Sequence, residues 1–79
     1  MARYHFNLHN GDELVEDEEG RELSGIDEAR AEALKGIRSI LAHEALQGRI
    51  DLRGRIEVRD EEGRFLFTVT YEEAVEVAQ

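Results

Sequence analysis

Residues 24–48 read SGIDEARAEALKGIRSILAHEALQG and predict one long amphipathic helix. Apolar residues recur at steps of three and four, so at about 100° per residue they fall in one arc of the helix. The members of this arc are Ile26, Ala29, Ala33, Ile37, Ile40 and Leu41, with Leu34 on its flank. Leu46 falls among the exposed positions, and we expect it to fold back at the helix end. The rest of the chain must supply the surface that this arc covers.

The ends and the middle of the helix carry three further signals. Ser24 followed by Asp27 resembles a capping box with Asp in place of Glu. Gly48 stands where a left-handed residue would end the helix. Gly36 lies inside the helix, where glycine costs roughly 1 kcal/mol relative to alanine. Because Gly36 sits at the edge of the apolar arc, we expect a close approach of backbone there, either from the sheet or from a partner.

A hairpin precedes the helix. Apolar and polar residues alternate over residues 2–9, which is typical of a half-buried strand, and the apolar set is Tyr4, Phe6 and Leu8. Asn10-Gly11 is a strong signal for a two-residue type I′ turn. That turn places Phe6 opposite Val15 and predicts a second strand over residues 12–17.

A second hairpin follows the helix, with the sequence Asp60-Glu61-Glu62-Gly63 between its strands. A four-residue loop places Val58 opposite Phe65 and Ile56 opposite Phe67, which keeps the apolar residues on one face under the helix. A three-residue loop with a bulge would set Val58 opposite Leu66 and split the faces, so the pattern favours the four-residue loop.

The tail 72–79 leaves two interpretations open. Thr70 with Glu73 could cap a short helical turn, whereas Val75 and Val77 would continue a strand.

One nine-residue segment occurs twice. Residues 15–23 read VEDEEGREL and residues 58–66 read VRDEEGRFL, with seven of nine positions identical. Both copies predict tight turns with a left-handed glycine, and the first leaves room for a short third strand ending at Leu23. The elements together predict an α+β fold, β-β-(β)-α-β-β, over residues 1–79 as a single small domain. In it the helix packs on one face of an antiparallel sheet of two hairpins.

Composition narrows the function classes. The chain has 79 residues, no cysteine and a formal net charge of −9. Disulfides and cysteine-based zinc sites are therefore excluded. Acidic charge disfavours binding to nucleic acid or anionic lipid. We expect a cytoplasmic protein, because no apolar run approaches the ~18 residues of a membrane span and no signal peptide is visible. So small a core makes oligomerisation a reasonable source of extra stability.

The candidate metal ligands are two histidines and two acidic turns. His5 and His9 share a strand face about 13 Å apart, too far to hold one ion, and His5 could meet Glu16 across the hairpin. The acids of residues 17–20 and 60–63 could attract Ca²⁺ or Mg²⁺, but plain turns are the better interpretation. We expect no metal and no cofactor.

The basic residues concentrate in one strip, which consists of Arg49, Arg53, Arg55, Arg59 and Arg64. Acids interleave with them, so we expect cross-strand ion pairs rather than a nucleic-acid site. Ser39 and His43 are within reach on the helix but lack an acid to orient the histidine. A chain of this size leaves little room for a cleft of about 300 Å³. We therefore expect no enzymatic activity.

Several stretches together carry a family resemblance: residues 3–6 (Arg-Tyr-His-Phe), 17–23, 29–34, 58–64 and 69–76. The chain resembles an uncharacterised family of short bacterial proteins that open with Arg-Tyr-x-Phe. Members often carry proline where this chain has Ala2 and Thr70. The resemblance implies a stand-alone cytosolic bacterial domain. It assigns no activity and no site residue.

The leading hypothesis is a non-enzymatic interaction or regulatory module that self-associates as a homodimer or binds another protein. Its expected partner surface combines the uncovered sheet face, the edge strands and the helix glycine, namely Leu14, Gly36, Arg55, Arg59, Leu66, Thr68 and Thr70. The alternative is an acidic neutraliser, antitoxin-like or a nucleic-acid mimic, that covers a basic protein. Direct nucleic-acid binding through the arginine strip is the least favoured hypothesis.

Overall fold

The computed structural model describes residues 1–75 and contains a five-stranded antiparallel sheet with one long and one short helix. Its elements are β1 (Ala2–Asn10), β2 (Glu13–Val15), β3 (Arg21–Leu23), α1 (Ile26–Leu46), β4 (Arg55–Asp60), β5 (Phe65–Thr70) and α2 (Tyr71–Ala74). The sheet order is β2-β1-β4-β5, and β3 pairs with β1 beside β2. The predicted α+β class and the short third strand are confirmed.

The core lies between α1 and one face of the sheet. Ala29, Ala33, Ile37 and Leu41 of α1 are buried, and they join Ile56, Val58 and Val69 of the sheet in one apolar cluster. Phe67 packs against the same cluster, so the predicted packing of the helix on the apolar side of the sheet is confirmed.

Two apolar residues predicted to be covered are exposed. Ile26 is 50% exposed and Leu46 is 87% exposed, so Leu46 does not fold back. They are the first and last residues of α1 and lie outside the span 29–41 that buries side chains against the sheet.

The two ends of α1 differ in how well they match the sequence signals. The N-cap is Gly25, and Glu28 reaches back to accept hydrogen bonds from the amide and hydroxyl of Ser24. The predicted Ser24–Asp27 box is therefore wrong, because the N-cap is Gly25, which makes no side-chain cap hydrogen bond. At the other end Gly48 has φ 85°, its amide donates to Ala45, and the amide of Arg49 donates to Glu44. This is a Schellman motif, and the predicted role of Gly48 is confirmed.

The first hairpin has a different register from the prediction. Leu8 faces Val15 and Asn10 faces Glu13, so the turn residues are Gly11 and Asp12. Gly11 has φ 66°, whereas no residue other than glycine within 1–75 has a positive φ. A type I′ turn needs positive φ at both central residues, and a type II′ turn needs it only at the first. Asn10 has no positive φ, so the predicted Asn10-Gly11 turn and the Phe6–Val15 pair are wrong. The predicted second strand is present, but it spans Glu13–Val15 rather than 12–17.

The second hairpin has a three-residue loop followed by a bulge. The amide of Asp60 donates to the carbonyl of Arg64, and Gly63 has φ 85°. Arg59 faces Phe65 but Val58 faces Phe67, so Leu66 is the extra residue. The favoured four-residue loop is wrong. The bulge restores the alternation that the loop alone would break, and it leaves Phe65 54% exposed on the side away from the helix.

The tail begins as a helix rather than a strand. The Thr70 hydroxyl accepts from the amide of Glu73, and the Glu73 carboxylate accepts from the amide of Thr70. This is the capping box that one of the two interpretations required. The alternative based on Val77 lies outside the described residues. No helix within residues 1–75 combines the length and apolar character needed to cross a membrane.

Candidate functional site

The side of the sheet turned away from α1, called the open face below, holds most of the predicted partner surface. Strand alternation and register place Leu14, Arg55, Arg59, Thr68 and Thr70 on it. Two predicted members are elsewhere. Leu66 packs against the core at the bulge, and Gly36 lies on α1 on the opposite side of the sheet.

Arginines on and beside the open face pair with acids close to them along the chain. The Nε of Arg59 donates to Glu57 at 2.7 Å, and its Nη1 donates to the carbonyl of Gly63 at 2.8 Å. The hydrogen bond from Arg59 to Glu57 holds the pKa of the Glu57 carboxyl below its usual value. Arg53 forks onto Asp51 with 2.9 and 2.8 Å bonds and holds the pKa of that carboxyl well below its usual range. The predicted cross-strand ion pairs are wrong for Arg53 and Arg59, because both pair with acids two residues away along the chain.

His5 and His9 each make a hydrogen bond through a ring nitrogen to another residue of the chain. The Nδ1 of His5 donates to the carbonyl of Asp17 at 2.6 Å, so His5 contacts the Asp17 backbone. Arg55 donates to the Nδ1 of His9 at 3.4 Å. Across residues 1–75 no group of three metal-ligating side chains comes together.

An aspartate organises each copy of the repeated segment. Asp17 lies between β2 and β3, and its carboxylate accepts hydrogen bonds from the amides of Phe6 at 3.1 Å and Gly20 at 3.0 Å. Its own amide donates to the side chain of Asn7 at 2.9 Å. Asp60 accepts in the same manner from two amides of the second hairpin loop. Both turns contain a left-handed glycine, as predicted.

The two edges of the sheet differ in chemistry. On one side β2 and β3 cover only the two ends of β1, each is three residues long, and both contain charged residues. On the other side β5 is a run of six residues, Phe-Leu-Phe-Thr-Val-Thr, with no charge and no proline. Within residues 1–75 no strand pairs with the outer edge of β5.

A cleft of about 800 Å³, called the groove below, opens between α1 and the loop 16–20. The expectation that the domain has little room for a cleft is wrong. Its apolar floor includes Phe6, Ala33 and Ile56, and its rim is mostly acidic, with Glu16, Asp17, Glu18, Glu19 and Glu32 beside Arg21 and Lys35.

Gly36 lines this groove and makes no tight contact with the sheet. A Cβ placed on Gly36 would meet only the Cδ1 of Ile56, at an ordinary 3.8 Å. The predicted close approach to the sheet is therefore wrong, because the helix has room for a methyl group at this position.

Sequence reasoning missed the role of Asp17 and the contact between Gly54 and Tyr71. A Cβ on Gly54 would lie 2.5 Å from the Cζ of Tyr71, and the Tyr71 amide donates to the Gly54 carbonyl at 3.0 Å. Burial raises the pKa of the Tyr71 hydroxyl, and the nearby carboxylates of Glu44 and Asp51 act in the same direction. The repeated segment is the one signal that pointed to Asp17, while nothing local in the sequence pairs Gly54 with Tyr71.

Comparison with known proteins identifies one family. The model of a domain of unknown function, DUF6894, matches residues 3–72. No curated protein matches the chain, and no solved structure does.

Proposed function

The chain belongs to the DUF6894 family, a domain of unknown function, and we propose that it is a non-enzymatic protein-binding module that self-associates through β5. The observation that carries this proposal is the uncharged outer edge of β5, with which no strand of residues 1–75 pairs. The partner is a second copy of the same chain.

The contrast between the two edges supports the choice of β5. Natural sheets protect an exposed edge with short strands, charges, proline or a covering loop. The edge formed by β2 and β3 has three of these features, because its strands are short and charged and the loop 16–20 lies between them. Within residues 1–75 the edge of β5 has no charge, no proline and no paired strand, and its one irregularity is the bulge at Leu66, so it remains available to pair with another strand.

Charge complementarity supports a second copy as the occupant. When two β5 strands pair antiparallel about a two-fold axis, the start of one lies beside the end of the other. Arg64 precedes β5 and Glu72 follows it after one residue. This pairing brings Arg64 of one copy and the first turn of α2 of the other copy, which carries Glu72, to the same end of the pair. Arg64 already pairs with Glu62, but both side chains are highly exposed, so exchanging Glu62 for Glu72 of the other copy costs little.

Light scattering behind size exclusion tests the proposal. At high micromolar concentration the wild-type chain is expected to elute with twice the mass of one chain. Thr68→Lys should convert it to a monomer, because Thr68 lies near the centre of β5 and two lysines would then stand side by side at the axis. Thr68 faces Glu57 within the sheet, so the new lysine gains a cross-strand partner and the variant is expected to fold.

Leu14→Lys is the matched control. Leu14 is 52% exposed on the same open face but belongs to the opposite edge. This variant should keep the dimer mass. A monomeric wild type, or equal loss of the dimer in both variants, would overturn self-association through β5.

The other expectations stay predictions. They include a cytoplasmic location, a bacterial origin, the absence of enzymatic activity and the absence of nucleic-acid binding. The acidic-neutraliser alternative gains support if the wild type is monomeric but forms a salt-sensitive complex with a basic protein.

A further inference from the structure

We propose that the groove between α1 and the loop 16–20 binds an arginine-containing segment of a partner protein, in which an apolar residue accompanies the arginine. The groove lies beside β1, whereas β5 is the far edge of the sheet. This inference therefore stands independently of self-association.

The apolar floor of the groove is the first observation. Phe6 of β1 is only half-buried, and it lines the floor beside Ala33 and Ile56. A volume of about 800 Å³ accommodates several side chains. Ala33 and Ile56 are already buried, so an apolar side chain that enters here removes mainly the remaining surface of Phe6 from water.

The charge of the rim determines which polar group accompanies that side chain. Five acids and two bases line the groove. The carboxylate of Asp17 is occupied by backbone amides. Glu16, Glu18 and Glu19 are exposed, and within residues 1–75 their side chains form no ion pair. A cation of the partner is the complementary occupant.

The chain itself shows how a guanidinium sits at this rim. Arg21 reaches from β3 and donates to Glu32 of α1 at 2.5 Å. A guanidinium presents a planar fork of donors that matches carboxylates, and its stem packs on apolar surface. An arginine therefore satisfies both the acidic rim and the apolar floor, which a metal ion does not.

Gly36 keeps the floor accessible. The packing of α1 on the sheet does not require a glycine there, because a Cβ would make only an ordinary contact. Glycine nevertheless weakens a helix interior. Any larger side chain at residue 36 would stand in the groove, so glycine is the residue that leaves the groove open to a ligand.

Fluorescence anisotropy with the full chain tests this inference. The probe is a labelled eight-residue peptide of alternating arginine and leucine, and the reference peptide has glutamate in place of arginine. The arginine peptide should bind and the glutamate peptide should not. Gly36→Leu should weaken binding by about tenfold or more by filling the groove. Thermal melting should show that this variant is folded and at least as stable as the wild type, because leucine favours helix over glycine.

The repeated segment provides a matched charge control. Glu18→Gln with Glu19→Gln should weaken binding by about tenfold, whereas Glu61→Gln with Glu62→Gln should change it by less than about twofold. Both double variants remove the same charge from the same kind of turn. Absence of binding at low salt, equal losses in both double variants, an unchanged affinity in Gly36→Leu, or displacement of the peptide by equimolar spermidine would each overturn the inference.

Discussion

At the residue scale, the Asp17 side chain hydrogen-bonds β1 at a point where neither β2 nor β3 pairs with it. β2 pairs with residues 8–10 of β1 and β3 pairs with residues 2–4, so no strand within residues 1–75 lies beside the middle of that edge. There one oxygen of the Asp17 carboxylate accepts a hydrogen bond from the amide of Phe6, and the other oxygen accepts one from the amide of Gly20. One side chain thus satisfies a strand amide and closes the loop that forms one wall of the groove.

Asp17→Ala is expected to lower the free energy of unfolding by about 1–3 kcal/mol, because it leaves partly buried amides without their charged acceptor. Urea denaturation measures this change. Glu18→Ala is the control, since Glu18 is exposed and adjacent, and it should shift the free energy by less than about 0.5 kcal/mol. Equal effects of the two substitutions would contradict the role given to Asp17.

At the element scale, α1 was the most predictable part and the hairpin registers were the least. The apolar stripe from Ala29 to Leu41 and the end at Gly48 follow from local chemistry. Both hairpins differ from their predicted register by two residues. A shift of two preserves which side chains face the helix, so the apolar pattern cannot distinguish the alternatives. Turn glycines decide instead, through Gly11 in the first hairpin and Gly63 with the bulge in the second.

The open face could be predicted from strand alternation alone, but the groove could not. The groove depends on where the loop 16–20 lies relative to α1. The position of this loop follows from the pairing of β3 with β1 rather than with β2. Such pairing joins residues distant in sequence, and the alternation within each strand carries no information about it. Leu66 was misplaced for a different and local reason, because its side of the sheet depends on the bulge in the second hairpin.

Two glycine substitutions of the same chemical kind should have opposite effects on stability. Gly36→Ala should raise the free energy of unfolding by about 0.5–1 kcal/mol, because alanine favours the helix and the new methyl has room. Gly54→Ala should lower it by about 1–3 kcal/mol, because its methyl would overlap the ring of Tyr71. Chemical denaturation of both variants gives the comparison. A destabilising Gly36→Ala would mean that α1 packs too closely on the sheet at residue 36 to leave room for a methyl group.

At the scale of the whole molecule, the chain has nineteen acidic and ten basic residues, so its net charge changes strongly as the pH falls into the acid range. The ion pairs with Arg53 and Arg59 depress the pKa values of Asp51 and Glu57 in the folded chain. A carboxylate with a depressed folded pKa stabilises the fold above its unfolded pKa, and that stability is lost as the pH falls through the folded value.

The free energy of unfolding is therefore expected to decline as the pH falls below about 4. Asp51→Asn should lower stability at neutral pH and reduce the steepness of the acid decline, since Asn does not titrate. Denaturation curves measured between neutral pH and pH ~2 provide the test. An acid decline of the same slope in Asp51→Asn and wild type would show that Asp51 carries none of it.

The proposed self-association is tested most directly by nuclear magnetic resonance on a mixture of isotope-labelled and unlabelled chains, filtered for contacts between copies. Self-association through β5 predicts intermolecular contacts concentrated in Phe65–Thr70, with Arg64 of one copy near Glu72 of the other. Intermolecular contacts confined to β2 and β3, or no such contacts at high micromolar concentration, would contradict it.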